Sequence, residues 1–318
     1  MTASTKLATL WALLPARDPA TPFLSVVIPT LNREQPLCTT LRYFLEQETY
    51  APFEVIVVDQ SERHEPQTVA YLDSVASRIR LERVSFKSLP RARNHALKMA
   101  KGEIVVFVDD DVEPWDGFLA AHAAPYADPK VWMVTGPSPA PGGQLTSRAE
   151  LSDKAFSDLL DGQSIHLHPD FDYAPCCWGA GCNISVRRAA AERIGGFDET
   201  FIANAVGEDA EFCYRITRAG GIIHYAAKAA LWHVQVVTGG TRTASGPDYV
   251  RNFARNQNYF FRAVHVRWPG RLKANWQSYR RLVLNRYALG RMAALHWAFA
   301  RGVWSGLRLP LATHVSGN

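Results

Sequence analysis

Three consecutive aspartates stand directly after an apolar, β-branched segment of the chain. Asp109, Asp110 and Asp111 follow EIVVFV at 103–108, and side chains alternate along an extended backbone, so Asp109 and Asp111 point one way and Asp110 another. Two oxygen ligands spaced in this way suit a hard divalent cation such as Mg²⁺ or Mn²⁺, with phosphate oxygens completing the shell. The alternative is a solvated acidic turn in which Asp111 caps a helix. The buried strand in front of the motif favours the metal site.

Two further places could bind a nucleotide. Asp59 ends the apolar segment FEVIVVD, where a carboxylate could accept a hydrogen bond from a base or ribose, although aspartates also occur in ordinary turns. Arg91 and Arg93 open a predicted helix, and arginines near a helix N-terminus suit a diphosphate. A solvated helix face is the alternative for each arginine.

A second acidic pair could act as a general base. Glu208 and Asp209 follow Gly207 and begin a predicted helix, where the helix dipole favours acidic residues and a rigid start can position a base.

His233 could be a metal ligand through a neutral imidazole, or a packed core residue beside Trp232. Structural zinc is not expected, because the four cysteines in the second half of the chain lack a paired CxxC spacing; these four are Cys176, Cys177, Cys182 and Cys213.

Strand and helix signals alternate through the first half of the chain and would position these groups. The predicted strands are 24–29, 53–59, 79–86 and 103–108, and the predicted helices between them are 35–48, 66–77 and 90–101. Apolar strands in this order predict an α/β fold with a mostly parallel sheet and helices on both faces. Ligands of such sheets bind beyond the carboxyl ends of the strands, which is where Asp59 and the three aspartates fall.

The second half is less regular. A Pro/Gly-rich loop is predicted over 136–150, and the elements after it are a strand at NISV (183–186), helices over 187–194 and 208–219, and a strand over 222–226. We divide the chain into an N-terminal tail (1–21), an α/β domain (22–240) and a basic, aromatic-rich helical region (241–318).

Charge separates the C-terminal region from the rest. Residues 249–318 hold twelve Lys and Arg, no Asp or Glu, and 12 of the 35 aromatic residues, whereas the first 248 residues hold 23 basic and 30 acidic groups. A single helix is predicted over 279–309, with leucines, Met292 and Phe299 on one side and arginines on the other. It could lie in an anionic membrane interface or pack its apolar side on the α/β domain, and the pattern leaves both open.

Composition excludes several classes of protein. The 318 residues are 47% hydrophobic and 20% charged, which rules out a disordered or collagen-like chain. No apolar run approaches the roughly 18–20 residues of a membrane span, and the short run at 7–14 lacks a signal-peptide cleavage site. An odd number of irregularly spaced cysteines indicates a reducing compartment. We therefore expect a cytoplasmic protein, with peripheral contact to the inner face of the plasma membrane through residues 249–309.

Seven segments, taken in order, resemble the motifs of family 2 glycosyltransferases. The resemblance covers about residues 22–240 and is specific for the family, though not for the sugar; its segments are SVVIPTLNR (25–33), VIVVDQSE (55–62), LPRARNHAL (89–97), the strand with DDD (104–111), WGAGCNISVRR (178–188), GGFDE (195–199) and GEDAEFCYR (207–215). It implies a GT-A fold, a nucleotide-sugar donor, Mn²⁺ or Mg²⁺, and inversion at the anomeric carbon.

The resemblance also implies residue roles. Asp109 and Asp111 match the metal-binding DxD, and His233 resembles a histidine that some members add to the metal shell. Asp209 matches the catalytic base, with Glu208 supporting it. The donor would contact a set of residues in the first half of the chain: Pro29, Thr30, Asn32, Arg33, Asp59, Arg91, Asn94, Asp109 and Asp110. Trp178 and Gly179 are assigned to the acceptor.

The predicted activity is transfer of a sugar from a nucleoside diphosphate to a hydroxyl of a lipid-linked or polysaccharide acceptor. Asp59 favours a UDP-type donor, since a pyrimidine imide N3–H can donate to it. Alternatives are a nucleotidyltransferase acting on sugar phosphates, which would release pyrophosphate, and a basic nucleic-acid-binding protein, suggested by the arginines and aromatics of the tail. The acidic body has no RNA-binding signature, so no nucleic acid is expected as a partner.

Overall fold

A computed structural model describes residues 21–152, 154–155, 167–236, 238–240, 246–284 and 292–312. The predicted N-terminal tail falls outside them apart from Thr21. Nine strands are present in these ranges: β1 (Leu24–Thr30), β2 (Phe53–Asp59), β3 (Arg80–Arg83), β4 (Ile104–Val108), β5 (Val112–Pro114), β6 (Val131–Thr135), β7 (Asn183–Arg187), β8 (Ile222–Tyr225) and β9 (Leu231–His233).

Helices connect most of these strands. The helices of the described ranges are α1 (Gln35–Arg42, continued by a π-helical turn over Tyr43–Gln47), α2 (Pro66–Ser74), α3 (Leu89–Met99), α4 (Phe118–Ala123), α5 (Arg188–Arg193), α6 (Glu208–Arg218), α7 (Gly246–Ala263), α8 (Trp268–Leu282) and α9 (Met292–Arg308). Short 3₁₀ turns occur at Ala124–Ala127 and Arg148–Glu150.

Seven strands form one mostly parallel sheet, as the sequence predicts. Their order is β3-β2-β1-β4-β7-β6-β8, and only β7 runs against its neighbours β4 and β6. β1 lies between β2 and β4 in parallel register, so Thr30, Asp59 and the residues after Val108 end at one edge of the sheet. The antiparallel β7 is the one departure from a fully parallel arrangement.

Both faces of the sheet are covered, because successive residues of the buried strands belong to different cores. Val26 and Ile28 of β1 pack in the core that contains α1, α2 and α4. Val27 packs with Val105 and Phe107 in the core that contains α3, α5 and α6. All residues of β1 and β4 are buried, which explains their uninterrupted apolar sequences.

A small second sheet shapes the region after β4. β5 follows the three aspartates and pairs in antiparallel fashion with β9, so that Val112 stands opposite His233. The hydroxyl of Thr40 in α1 both accepts from the Val112 amide and donates to its carbonyl oxygen, at 3.1 and 2.8 Å. This pairing brings a histidine that lies more than 120 positions along the chain beside the aspartates.

The C-terminal region contains separate helices, and the single helix predicted over 279–309 is wrong. α8 ends at Leu282 and α9 begins at Met292; positions 285–291 lie outside the described residues. α9 packs closely along α7 through Gly302 and Gly306, where an added Cβ would stand 2.3 Å from the carbonyl oxygens of Arg251 and Arg255. No described helix is both long and apolar enough to span a bilayer.

α7 fastens this region to the α/β domain. The Tyr259 hydroxyl donates to the Asp198 carboxylate at 2.6 Å, and the Asn256 side chain bonds the backbone of Ile202 through both its oxygen and its nitrogen. The apolar side of α9, including Leu295 and Phe299, is buried against α7. The apolar face predicted for the C-terminal helix therefore packs on protein.

The glycine contact between α7 and α9 gives a stability prediction. In Gly306→Ala the new methyl group would meet the Arg255 carbonyl oxygen, and we expect a loss of about 1–3 kcal/mol in the free energy of unfolding. Gly270→Ala is the matched control, because its Cβ would meet only the Val266 side chain at 3.3 Å. Urea denaturation measures both variants. Equal effects of the two substitutions would contradict the close helix contact.

Candidate active site

The three aspartates after β4 have different surroundings. Asp109 is partly exposed, whereas Asp110 and Asp111 are buried. Thr30 at the end of β1 donates its hydroxyl to Asp110 at 2.6 Å. The buried Arg33 guanidinium lies 3.4 Å from Asp110 and 3.3 Å from Asp111. The fold thus places residues that follow β4 in contact with residues at and after the end of β1, and their role in binding a donor stays a prediction.

Burial and charge act in opposite directions on these acids. Burial raises the pKa of Asp110 to about 7, against the Thr30 hydrogen bond and the Arg33 charge. Burial also opposes ionisation of Asp111, but its pKa is lowered overall, because the contact and charge of His233 and the charge of Arg33 outweigh burial. The cluster therefore favours positive charge close to Asp111.

His233 provides that contact through its Nε2 atom. Its Nε2 lies 3.4 Å from an Asp111 oxygen and 3.7 Å from an Asp109 oxygen, and this buried atom has no hydrogen-bond partner among the described residues. Burial lowers the pKa of His233, but Cys182, Asp111 and Asp109 outweigh it and raise the pKa to about 11. Either a proton or a metal ion can satisfy such a nitrogen among carboxylates.

The donor set fits a divalent cation. Asp109 and Asp111 offer carboxylate oxygens, and His233 offers a buried imidazole nitrogen that has no hydrogen-bond partner among the described residues; carboxylates and imidazole are both ligands of divalent transition-metal ions. A ligand atom of Asp109, one of His233 and the Cys182 sulfur all lie within 4.8 Å of one another. Cys182 was absent from the metal-binding residues predicted from the sequence, because only the fold brings it here.

The second acidic pair is joined to the aspartates by one buried arginine. Arg93 in α3 is 1% exposed. Its guanidinium contacts Glu208, lies 3.5 Å from Asp109 and donates to the Gly181 carbonyl oxygen at 2.8 Å. The sequence suggested a diphosphate ligand for Arg93, but the described contacts use this side chain to connect carboxylates.

Glu208 and Asp209 open α6 after Gly207, whose φ of 91° suits glycine. Burial raises the pKa of Glu208 to about 7, against the Arg93 charge. Burial also raises the pKa of Asp209, against hydrogen bonds from the amides of Gly181 and Ala210 at 3.2 and 2.8 Å. The amides fix the Asp209 carboxylate in orientation while the surroundings increase its affinity for a proton.

A cleft runs along the strand ends beside these groups. Its lining includes Pro29, Thr30, Leu31, Arg33, Gln60, Leu89, Asp109, Asp110, Asp111, His233 and Gly240. A second hollow is lined by Asn32, Glu34, Glu62, Arg63, His64, Glu65 and Lys87. The cleft therefore brings together predicted residues from β1, from the aspartate motif and from β9.

Asp59 is buried and contacts His64, a residue that lines the second hollow. It accepts a hydrogen bond from the Ser61 amide at 2.9 Å, and its other oxygen lies 3.0 Å from His64 Nε2. The remaining His64 nitrogen lies 3.2 Å from Glu34. Sequence reasoning missed His64 and Gln60, although both stand in the polar cluster QSERHEP that follows β2.

Other predicted residues have contacts of their own. The Arg91 guanidinium packs over the Phe86 ring at 4.1 Å, and Asn94 bonds both backbone groups of Phe197 at 2.7 and 2.8 Å. Trp178 is partly exposed, and its carbonyl oxygen lies 2.9 Å from the Cys176 sulfur. Gly179 is buried, and a Cβ there would stand 2.7 Å from the Thr135 hydroxyl. Their roles in donor and acceptor binding remain predictions.

Comparison with known proteins defines the class. The fold is similar to a solved mannosyltransferase from Pyrobaculum calidifontis in complex with GDP-mannose and Mn²⁺, at a TM-score of 0.56 and 19% identity over 95% of this chain and 93% of that one. It is also similar to GalNAc-T7 solved with UDP, GalNAc and Mn²⁺, at 0.58 and 15% over 92% of this chain and 59% of that one. The fold is thus that of the GT-A glycosyltransferases.

The sequence match identifies the family. Residues 25–195, more than half of the chain, match the family described as glycosyl transferase family 2, and this chain belongs to it. It is 33% identical over 66% of its length to a validoxylamine A glucosyltransferase of Streptomyces hygroscopicus subsp. limoneus, and 28% identical over 69% to a pre-mycofactocin glycosyltransferase of Mycobacterium tuberculosis; these matches cover 51% and 44% of the two relatives. The chain therefore spans about half the length of these curated relatives.

Proposed function

We propose that this protein is an inverting, metal-dependent glycosyltransferase that moves a hexosyl group from a nucleoside-diphosphate sugar to a hydroxyl. The observation that carries the proposal is the bridge from Asp109 through Arg93 to Glu208. It fixes the start of α6, which bears Asp209, relative to the aspartates at the strand ends. A donor site and a general base must be held in such a fixed relation for transfer.

Asp109, Asp111 and His233 would hold Mn²⁺ or Mg²⁺. When bound, the ion would act as a Lewis acid for the negative charge that grows on the departing diphosphate. Arg33 would keep its ion pairs with Asp110 and Asp111 and would limit the repulsion among the three carboxylates. The support for a metal is the unpartnered His233 nitrogen facing oxygen ligands, together with the Mn²⁺ in the two similar structures.

Asp209 would take the proton of the acceptor hydroxyl during attack. Hydrogen bonds from two backbone amides orient its carboxylate, and burial makes it a stronger base than a solvated aspartate. Glu208 would help to position Asp209, because its ion pair with Arg93 holds the start of α6 in place. A single base without a protein nucleophile gives one displacement, and one displacement inverts the anomeric carbon.

The donor would lie along the cleft, with its nucleotide toward Pro29, Thr30, Asn32 and Asp59. A pyrimidine is favoured, because an Asp59 oxygen can accept from an imide N3–H. Asp110, held by Thr30, would contact the ribose or the sugar. The two similar structures contain different nucleotides, GDP in one and UDP in the other, so the choice of UDP depends on this chain's own residues.

A nucleotide panel tests donor and metal together. We expect UDP and dTDP, whose bases share the imide N3–H, to raise the melting temperature more than GDP does, and only with Mn²⁺. A ligand that binds the native state alone stabilises that state. His233→Ala should weaken the affinity of the protein for Mn²⁺ by about tenfold. His265→Ala, an exposed histidine after α7, is the control. Metal-independent shifts, or equal Mn²⁺ titrations for the two variants, would contradict the assigned shell.

The base is tested by Asp209→Asn. The amide keeps the shape of the side chain but is not a base, so transfer should fall by about 10²–10⁴-fold while UDP binding is retained. Asp73→Asn, on the exposed side of α2, should leave both unchanged. Product analysis by NMR reads the anomeric configuration. Equal loss of binding and transfer in Asp209→Asn would make Asp209 structural, and retention of configuration would refute the single displacement.

The acceptor would be a lipid-linked or polysaccharide precursor that approaches past Trp178 and Gly179. Gly181, which closes the same loop, donates its amide to Asp209, so the loop adjoins the proposed base. The family match favours this transfer over the nucleotidyltransferase and nucleic-acid-binding alternatives.

The C-terminal helices would rest on an anionic membrane. α8 exposes Trp268, Leu272 and Trp276, and α9 exposes a stripe spaced at helical intervals: Trp297, Arg301, Trp304 and Arg308. We call these residues the tryptophan faces. The buried side of α9 already packs on α7, so they are additional to the packed face. Trp with Arg, and no acidic residue after Asp248, suits the interface of an anionic bilayer, and on the inner face of the plasma membrane this contact would bring the enzyme to a lipid-linked acceptor.

Vesicle sedimentation tests the tryptophan faces. The protein should bind vesicles of phosphatidylcholine mixed with phosphatidylglycerol, and the double change Trp297→Ala and Trp304→Ala should weaken binding by about tenfold or more. Ile202→Ala, an exposed apolar residue outside α8 and α9, should bind like the wild type. Equal binding of all three proteins, or none to anionic vesicles, would refute the membrane contact.

A further inference from the structure

We propose that Cys182 gives the cleft a second metal-binding mode, in which Cys182, His233 and Asp109 hold a thiophilic divalent cation such as Zn²⁺ or Cd²⁺. This inference rests on the proposed function only in sharing Asp109 and His233 with the Mn²⁺ site. It adds a competing cation to that site and predicts that thiophilic metals inhibit the enzyme.

The three ligand atoms already lie close together. A carboxylate oxygen of Asp109, the Cys182 sulfur and a ring nitrogen of His233 are within 4.8 Å of one another. Ligands at the usual Zn–N and Zn–S lengths of about 2.0–2.3 Å stand roughly 3.3–3.8 Å apart around a tetrahedral ion. Small side-chain rotations would therefore close the present cluster around an ion.

Backbone and side-chain contacts on both sides hold Cys182 in place. Gly181 before it donates its amide to Asp209 and accepts from Arg93. Asn183 after it begins β7, and its side-chain amide donates to the carbonyl oxygens of Pro137 and Ala229 at 2.9 and 2.8 Å. Cys182 is 6% exposed. The thiol is therefore presented to the cluster by a rigid strand start.

His233 is held as firmly from the other side. The β5–β9 pairing sets its backbone opposite Val112, its amide donates to the Pro139 carbonyl oxygen at 2.9 Å, and its Nε2 has no hydrogen-bond partner among the described residues. A buried nitrogen without a partner, aimed at a thiol and two carboxylates, is the independent observation that indicates a ligand. Packing alone would not require this arrangement.

The chemistry of the two modes differs in ligand softness. Mn²⁺ and Mg²⁺ prefer carboxylate oxygens, whereas thiolate ligands select Zn²⁺ and heavier ions of its group. On binding, the thiol proton passes to solvent and the thiolate sulfur donates an electron pair to the cation. Asp111 can then remain with Arg33. Because Asp109 and His233 serve both modes, the two cations exclude each other.

Cadmium titration of the reduced, metal-free protein tests the thiol directly. Wild type should develop the ultraviolet charge-transfer absorption of a Cd²⁺–thiolate bond at one equivalent. In Cys182→Ser this band should be lost, and calorimetry should show Cd²⁺ affinity weaker by about tenfold or more, while Mn²⁺ affinity changes by less than about threefold. Cys177→Ser, which removes a more exposed thiol, should behave as the wild type does.

Several results would overturn the proposal. They are a Cd²⁺–thiolate band that persists in Cys182→Ser, no band in the wild type, and an equal loss of Cd²⁺ and Mn²⁺ affinity. The melting temperature of each variant is measured first, and Cys182→Ala replaces Cys182→Ser if the serine variant does not fold. No nucleotide or acceptor is used, so a failure of sugar transfer with an intact Cys182-dependent band would refute the proposed function and leave this inference standing.

Discussion

The burial of several carboxylates in one place is the constraint on which the rest of the structure depends. Asp110, Asp111 and Glu208 are each less than 10% exposed, and burying acids without positive partners is strongly unfavourable. Two buried arginines offset this cost: Arg33 lies beside the aspartates and Arg93 between Asp109 and Glu208. Removal of either arginine would leave uncompensated buried charge, so these side chains hold the site together and are less available to a ligand.

The ends of several strands supply the residues of this charge cluster and of its surroundings. β1 supplies Thr30 and β4 leads into the aspartates, while β9 and β7 bring His233 and Cys182 from distant parts of the chain. The antiparallel β7 matters here, because its reversed direction places its start at the edge where the parallel strands end. Rigid strand and helix ends thus present the proposed ligand atoms, which would reduce the reorganisation on binding of the proposed cation and donor.

The C-terminal helices contact the chain segment that leads into the candidate active site. α7 bonds to Asp198 and Ile202 in the segment that leads to α6. An added Cβ on Gly207, which directly precedes α6, would contact the α7 side chain Phe260 at 3.3 Å. The proposed contact of the tryptophan faces with a bilayer would therefore also orient the cleft relative to the membrane. The same glycine contacts that bind α9 to α7 leave the tryptophan faces outward.

The sequence by itself determined the α/β fold, the family and six of the nine strands in the described residues, because apolar strands and motif spacing are local properties; it did not predict β5, β6 and β9. It also predicted the aspartates, His233 and Glu208-Asp209 as one site. Only the tertiary structure decided which side chains and strands contact one another. Arg93 connects carboxylates, Cys182 lies beside the proposed metal ligands, β7 runs antiparallel and the predicted helix over 279–309 is divided. Each of these depends on contacts between residues far apart in the chain, and a periodic pattern does not specify which distant surfaces will meet.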